Sequence, residues 1–399
     1  METTTTASTT TEANSPHSLS STIKIGIINS IVKGVCLTVS FFLGIYLIQK
    51  GFSGAELGIF FASSTITNIL TIIPSGISND RFKSKNLIWI GLILIAIQYF
   101  GIASIASTAT LPMILLFIIG GFGNSLYVTS ADSFFFKSTE KTNLPIKISL
   151  FQIPHYLTIG IGLIIAGYFL NKNIQFETIF KIGSAILVFA AIASYIILPS
   201  NKTAKFEALR YKKDIFKPQV LIFIIIAFLL AIHFGAEFTN YSLFLQENLN
   251  LNKFQIGLYM GTAIILMAPA VVLIAKYSSR IKIKNIMLIG LIGSGLGHIL
   301  MTINIVEISW AFRIVHEIAD AFWFFFLAYG ISKLFDLERV GGNSSIFSFT
   351  SGVGSAIGAL MFGPIGTAYG QNIPLIISGA TTLLGAIIAM AYLRHFDHD

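Results

Sequence analysis

The chain has 399 residues, 54% of them hydrophobic and only 11% charged, with a mean hydropathy of +0.79. A water-soluble domain carries about 25% charged residues, so most of this chain is solvated by lipid, which excludes a soluble enzyme and a disordered protein. The single cysteine, Cys36, excludes a disulfide scaffold, and the formal charge of +8 sits in short gaps between apolar runs, where membrane topology explains it better than nucleic acid.

Residues 1–22 are rich in Thr and Ser with almost no apolar content, and the composition predicts a disordered tail. They lack the basic start and small-residue cleavage site of a signal peptide. Twelve apolar segments follow, over residues 24–48, 57–77, 86–106, 112–136, 147–170, 178–198, 219–245, 255–276, 285–304, 308–333, 343–368 and 372–393. Each is near the roughly 20 residues that cross a bilayer as a helix. Pro74, Pro154, Pro269 and Pro364 fall inside spans, where neighbouring helices satisfy the freed backbone groups. The expected fold class is therefore an all-α polytopic membrane protein. Its organisation is a six-helix bundle over 23–198, a basic cytosolic linker over 199–218, a second six-helix bundle over 219–394 and a short tail over 395–399.

Lys and Arg set the expected orientation. With the N-terminus in the cytosol, the inner gaps hold twenty basic residues and the outer gaps four, namely Lys50, Lys172, Lys181 and Lys253. Only Lys33 and Arg313 lie within spans. Both termini are placed in the cytosol.

An internal repeat links the halves. Residues 81–93 read RFKSKNLIWIGLI and residues 280–292 read RIKIKNIMLIGLI, with eight of thirteen positions identical at a constant offset of 199. The same offset pairs Gly58 with Gly257. Low-complexity Ile and Leu do not explain the polar R-x-K-x-K-N core. A parallel duplication of a six-helix unit does, an arrangement found in secondary transporters.

The loop after the second span reads Gly76-Ile77-Ser78-Asn79-Asp80-Arg81-Phe82-Lys83-Ser84-Lys85. It resembles the signature G-x-x-x-D-[RK]-x-G-[RK]-[RK] of the major facilitator superfamily, matching at Gly76, Asp80, Arg81 and Lys85. Lys83 stands for the Gly, and Ser84 for a basic residue. The second copy is weaker, with Ala275 and Ser279 at the Gly and Asp positions but Arg280 and Lys284 retained. The resemblance covers about residues 24–394 and implies two six-helix halves around a central cavity. It also implies a conformational gate of Gly76, Asp80, Arg81, Lys85, Asp132 and Arg280, with Gly76 admitting a close helix approach and Asp132 helping to latch the outward-open state. Exporters of the family often carry G-x-x-x-G-P-x-x-G-G in the fifth helix. Here that helix has Gly160, Gly162 and Gly167 without the Pro, and the eleventh has Gly354, Gly358 and Gly363-Pro364. Close helix packing explains these glycines better than export, which they favour only slightly.

Five ionisable residues lie well inside spans: Lys33, Glu237, Arg313, Glu317 and Asp320. Each costs roughly 2.5–3.5 kcal/mol at a helix centre, so five unpaired would cost on the order of 12–17 kcal/mol, comparable with a domain's whole stability. They must pair, face water or bind protons. They occur only on the first, seventh and tenth helices, which in the family are among those that line the cavity. Arg313, Glu317 and Asp320 share one face at i, i+4 and i+7, with His316 bordering it. His233, Glu237 and Asn240 or Tyr241 share a face of the seventh helix. The spacings H-x-x-x-E and H-x-x-x-D are also those of metal-ligand pairs, but with no cysteine to assist, no metal is assigned. His298 lies mid-span on a different helix. Depth along the helices, at about 1.5 Å per residue, pairs Glu237 with Arg313 and puts Lys33 near Asp320. Glu317 is left without a fixed counter-charge, the candidate proton-binding group, with Asp320 able to exchange roles.

The expectation is a secondary active transporter moving a small solute by alternating access, coupled to protons, of drug or metabolite type, in the cell membrane. It needs no cofactor and no nucleic acid, is not an enzyme, and works as a monomer in the lipid bilayer. The competing readings are a lipid or lipid-linked flippase on the same fold, a membrane-embedded transferase, and a non-transporting sensor. No D-x-x-D or D-x-D motif holds magnesium for a transferase, no G-K-[ST] binds ATP, and no G-x-S-x-G is present.

Overall fold

The computed structural model describes residues 16–105, 109–138, 144–200, 216–334 and 340–392. Among these the chain is helical throughout. The helices are α1 (Pro16–Gln49), α2 (Gly54–Arg81), α3 (Ser84–Ser104), α4 (Thr110–Lys137), α5 (Leu144–Asn171), α6 (Phe176–Ile197), α7 (Pro218–Glu247), α8 (Lys253–Tyr277), α9 (Ile283–Leu300), α10 (Val306–Leu334), α11 (Val340–Tyr369) and α12 (Asn372–Tyr392). All but α10 are long and apolar enough over their described residues to cross a membrane. The 29-residue α10 is the one that carries Arg313, Glu317 and Asp320.

Eleven of the twelve expected spans match within four residues at both ends. The exception is α1, whose helix begins at Pro16, inside the expected tail. Proline suits a first helical turn, where its missing N–H would have no partner. Residues 1–15, most of the linker and the last seven residues lie outside the described set.

The offset of 199 reappears as geometry. Ser53 and Asn252 each cap a helix, accepting from the backbone N–H of Glu56 and Gln255, whose side chains accept from the cap backbone in return. These reciprocal capping boxes fix where α2 and α8 begin, and α2 and α8, like α3 and α9, start 199 residues apart. Two local departures from regular helix matter. α8 is interrupted at Leu266, because Pro269 offers no N–H to the Ile265 carbonyl. α7 widens into a π-turn over Glu237–Tyr241, a feature often found at functional sites.

The halves meet through α2 against α11 and α5 against α8. These contacts are made at one end of the molecule by glycine. A methyl group at Gly58 would come within 2.8 Å of the Ala359 carbonyl oxygen, and one at Gly160 within 2.5 Å of the Gly261 oxygen. No larger residue fits so close an approach. Gly363 faces Gly54 in the same way, and Gly257 faces Gly167. The outward faces of the bundle stay apolar, with Leu70, Phe189 and Ile196 70–73% exposed, as suits a surface solvated by lipid.

Candidate functional site

At the end of the molecule opposite the glycine contacts, a cavity of about 300 Å³ lies between the halves. It is lined by the N-terminal parts of α1, α5 and α11 and the C-terminal parts of α4 and α10. These ends share one side of the membrane because successive helices run antiparallel. Its polar lining is Asn29, Lys33, Asp132, Gln152, His155, Tyr156 and Ser348, set among Phe135, Phe151, Phe324 and Phe347. Asn29 is held by the Tyr127 hydroxyl, which donates to its side-chain oxygen at 2.8 Å. Phe135 and Phe151 stack with ring centroids 4.3 Å apart. Lys33 and Asp132 form no ion pair within 4 Å among the described residues, so both signs of charge line this cavity without being spent on each other.

A second cluster lies inside the C-terminal half. Arg313 donates to Glu237 of α7 and, one turn along α10, to Glu317. Its guanidinium carbon sits 4.4 Å from the centre of the Tyr241 ring, which the π-turn holds beside Glu237. Around this pair three imidazoles meet, His233 from α7, His298 from α9 and His316 from α10, with ring centroids 4.9–5.4 Å apart. His316 Nε2 lies 3.4 Å from Glu237 and 3.6 Å from Asp320, and His233 Nε2 lies 3.6 Å from the same Asp320 oxygen. His298 Nε2 lies 3.9 Å from Glu237. Apart from Glu237, whose side chain is 17% exposed, every member is buried.

Of the seven residues expected in the cavity, only Lys33 lines the cavity between the halves; His233, Glu237, Arg313, His316, Glu317 and Asp320 come together instead in this buried cluster. Two expectations are corrected. Lys33 does not approach Asp320, because it faces the cavity from the N-terminal half while Asp320 turns toward His233 and His316. Glu317 is not left without a counter-charge, because Arg313 reaches both Glu237 and Glu317. Arginine's planar fork carries donors on two terminal nitrogens, and that geometry outweighs the weak i,i+4 order.

The expected gate is less assembled. Gly76 has nothing within 4 Å of where a side chain would begin, so close packing does not account for it; it lies on the cavity side, away from the sealed ends. The side chains of Asp80 and Arg81 lie outside the described set. Lys85 points at α6, its ammonium 5.2 Å from the centre of the Tyr195 ring. Arg280 is exposed in the turn after α8. Asp132 lines the cavity. Among the described side chains, neutral groups tie α2 to α4. Asn79 donates to Ser130 Oγ at 2.9 Å, and Ser75 and Ser125 hydroxyls lie 3.1 Å apart.

Sequence reasoning noted His298 but left it out of the site, and it missed His155, Asn29 and Gln152. His298 belongs to the cluster only through the packing of α9 on α10. Gly297 allows that packing, since a methyl group there would meet the His316 backbone nitrogen at 2.8 Å. The other three are ordinary polar residues whose shared cavity no spacing within one helix announces.

Comparison with known proteins agrees with this architecture. The family model described as Major Facilitator Superfamily matches residues 25–293 and 238–398. The nucleoside transporter NupG is similar at 16% identity with a TM-score of 0.71, over 94% of this chain and 99% of that one. The human organic anion transporter MFSD10 is 12% identical with a TM-score of 0.71, over 94% and 100%. A bacterial homolog of the human lysosomal transporter Spinster, solved inward-facing and unoccupied, is 12% identical with a TM-score of 0.72, over 94% and 97%. No curated protein sequence matches the chain.

Proposed function

Since the chain belongs to the major facilitator superfamily, we propose that it is a secondary active transporter that carries a small organic solute across the cell membrane by alternating access. The observation that carries this reading is the pairing of a cavity between the halves on one side with a glycine seal between the same halves on the other. A rocking of one half against the other exposes such a cavity to each side in turn. Lys33, Gln152 and His155 bind the polar groups of the solute, and the phenylalanines pack its apolar part. Both termini are cytosolic, so this conformation is inward-facing.

Transport is coupled to protons, and Asp132 is the carboxylate that couples it. It stands in the cavity beside Lys33 with no ion pair within 4 Å among the described residues, whereas Glu317 is held by Arg313. A carboxylate that water reaches from alternate sides can load and release a proton in step with the solute. The test is a substrate screen in proteoliposomes with an imposed pH gradient. Wild-type protein accumulates its substrate without ATP. Asp132→Asn loses gradient-driven accumulation yet keeps exchange at equal concentrations. A requirement for ATP would overturn the transport reading, and undiminished accumulation by Asp132→Asn would overturn the coupling assignment.

A further inference from the structure

The histidine cluster is arranged in a way that solute transport does not call for. In each of the three rings Nδ1 is already engaged. His233 Nδ1 lies 2.5 Å from the Leu230 carbonyl and His316 Nδ1 lies 2.9 Å from the Ser294 carbonyl. A carbonyl only accepts, so both nitrogens carry the proton. His298 Nδ1 lies 3.1 Å from Ser378 Oγ, whose own hydrogen goes to the Leu375 carbonyl; this Nδ1 is therefore also the donor. With the proton on Nδ1, a neutral imidazole has its lone pair on Nε2. Among the described residues all three Nε2 atoms are buried and none makes a hydrogen bond of ordinary geometry, nor does Asp320 Oδ1; what the Nε2 atoms face are the Glu237 and Asp320 carboxylates at 3.4–3.9 Å. Three lone pairs fixed from behind and left unsatisfied in front are the arrangement that metal-binding histidines adopt, with the rear hydrogen bond setting tautomer and ring direction.

The spacing points the same way. Two ligands on one tetrahedral zinc-class ion, at about 2.0–2.1 Å each, stand roughly 3.3 Å apart. The Nε2-to-carboxylate separations here are 3.4–3.9 Å. Most are too long for hydrogen bonds and within a few tenths of an ångström of a shared ion. The ligand atoms of His233, His316 and Asp320 all lie within 4.8 Å of one another, as do those of Glu237, His298 and His316. Charge supplies an independent reason. Glu237, Glu317 and Asp320 against Arg313 leave three negative groups and one positive, a formal charge of −2 in a buried place. A divalent cation brings that to zero.

We propose that this cluster binds one divalent transition-metal ion of the zinc class. His233, His316 and Asp320 are its first ligands, and Glu237 or His298 supplies the fourth from the other side. Stoichiometry is one per chain because both groups of ligands depend on His316, and its Nε2 has a single lone pair. The ion enters past Glu237, the one member with an exposed edge.

The test uses full-length protein purified through a tag without histidines and stripped with chelator. Co²⁺ is titrated in while visible absorption is followed. The expected result is a tetrahedral d–d spectrum saturating at one Co²⁺ per chain and displaced by Zn²⁺. His316→Ala abolishes it. Ser378→Ala, which removes only the acceptor behind His298, weakens binding at least about tenfold while the protein remains monodisperse. In proteoliposomes holding a zinc-sensitive dye, Zn²⁺ reaching the lumen marks the ion as cargo, and saturable binding without entry marks it as resident; both uphold the site. Absence of the Co²⁺ spectrum and of retained Zn²⁺ in equilibrium dialysis overturns it and leaves a cluster that binds protons alone. Equal Co²⁺ binding by wild type and a monodisperse His316→Ala also overturns it. Neither binding result depends on transport, so the site stands or falls apart from the function proposed above.

Discussion

Arg313 is the residue on which the interior charges of the C-terminal half depend. It is the only guanidinium among three carboxylates, and it reaches two of them. Arg313→Leu leaves both uncompensated, and breaking a buried pair in this way costs about 3–5 kcal/mol. The expected outcome is a marked fall in thermal unfolding temperature in detergent, partly recovered by Arg313→Leu combined with Glu317→Gln. Glu317→Gln alone is milder, because Arg313 keeps Glu237. The sequence disclosed that these charges must meet, since unpaired charge in lipid is too costly to leave alone. It did not disclose how they divide. Whether Arg313 serves one carboxylate or two depends on the rotation of α10 against α7, and a five-residue π-turn moves that register without any mark that spacing reveals. Lys33 was misplaced for a similar reason. Its depth was legible, but the half of the molecule it faces was not.

Among the elements, α2 and α8 carry the clearest shared design. Their capping boxes and their glycines sit at equivalent positions. Ser53→Ala removes the acceptor for the Glu56 N–H and costs about 1 kcal/mol, and Asn252→Ala costs a similar amount in the other half; thermal melts of the two variants should shift by comparable amounts. The glycine contacts predict a larger effect. Gly58→Leu or Gly160→Leu pushes a side chain into the Ala359 or Gly261 backbone. The sealed end is then held apart, and substrate exchange falls to background while membrane insertion stays normal. Nearly every helix boundary was legible in the sequence, because lipid demands an uninterrupted apolar run and punishes polar backbone at its edges. The start of α1 was not, since Ser and Thr forbid neither helix nor coil.

For the whole molecule, the excess of Lys and Arg on one side predicts topology. Cysteines introduced at position 205 and at the C-terminus react only with reagents supplied from the cytosolic side, with Cys36 replaced by Ala as background. Reaction from outside reverses the orientation and with it the inward-facing assignment. The repeat at offset 199 made the two-half plan readable, because polar residues in a loop recur for a reason that hydrophobic composition cannot supply. The cavity was less readable. Its walls come from five helices of both halves, and no single helix shows by its own pattern that it lines a space between domains.

The seal between the halves has no ion pair across it among the described residues and one ammonium, that of Lys253, set against a neutral ring, Phe176, 4.7 Å from its centre; it joins backbone to backbone through glycine. Contacts of that kind act over van der Waals distances and are indifferent to dissolved ions, whereas bonds between exposed charges weaken within a screening length of about 8 Å at physiological ionic strength. The two faces of this molecule should therefore answer to different solvents. Added salt on the outer side leaves the rate of opening there unchanged, while the composition and lateral pressure of the surrounding lipid, which press helices together, set how often that door parts.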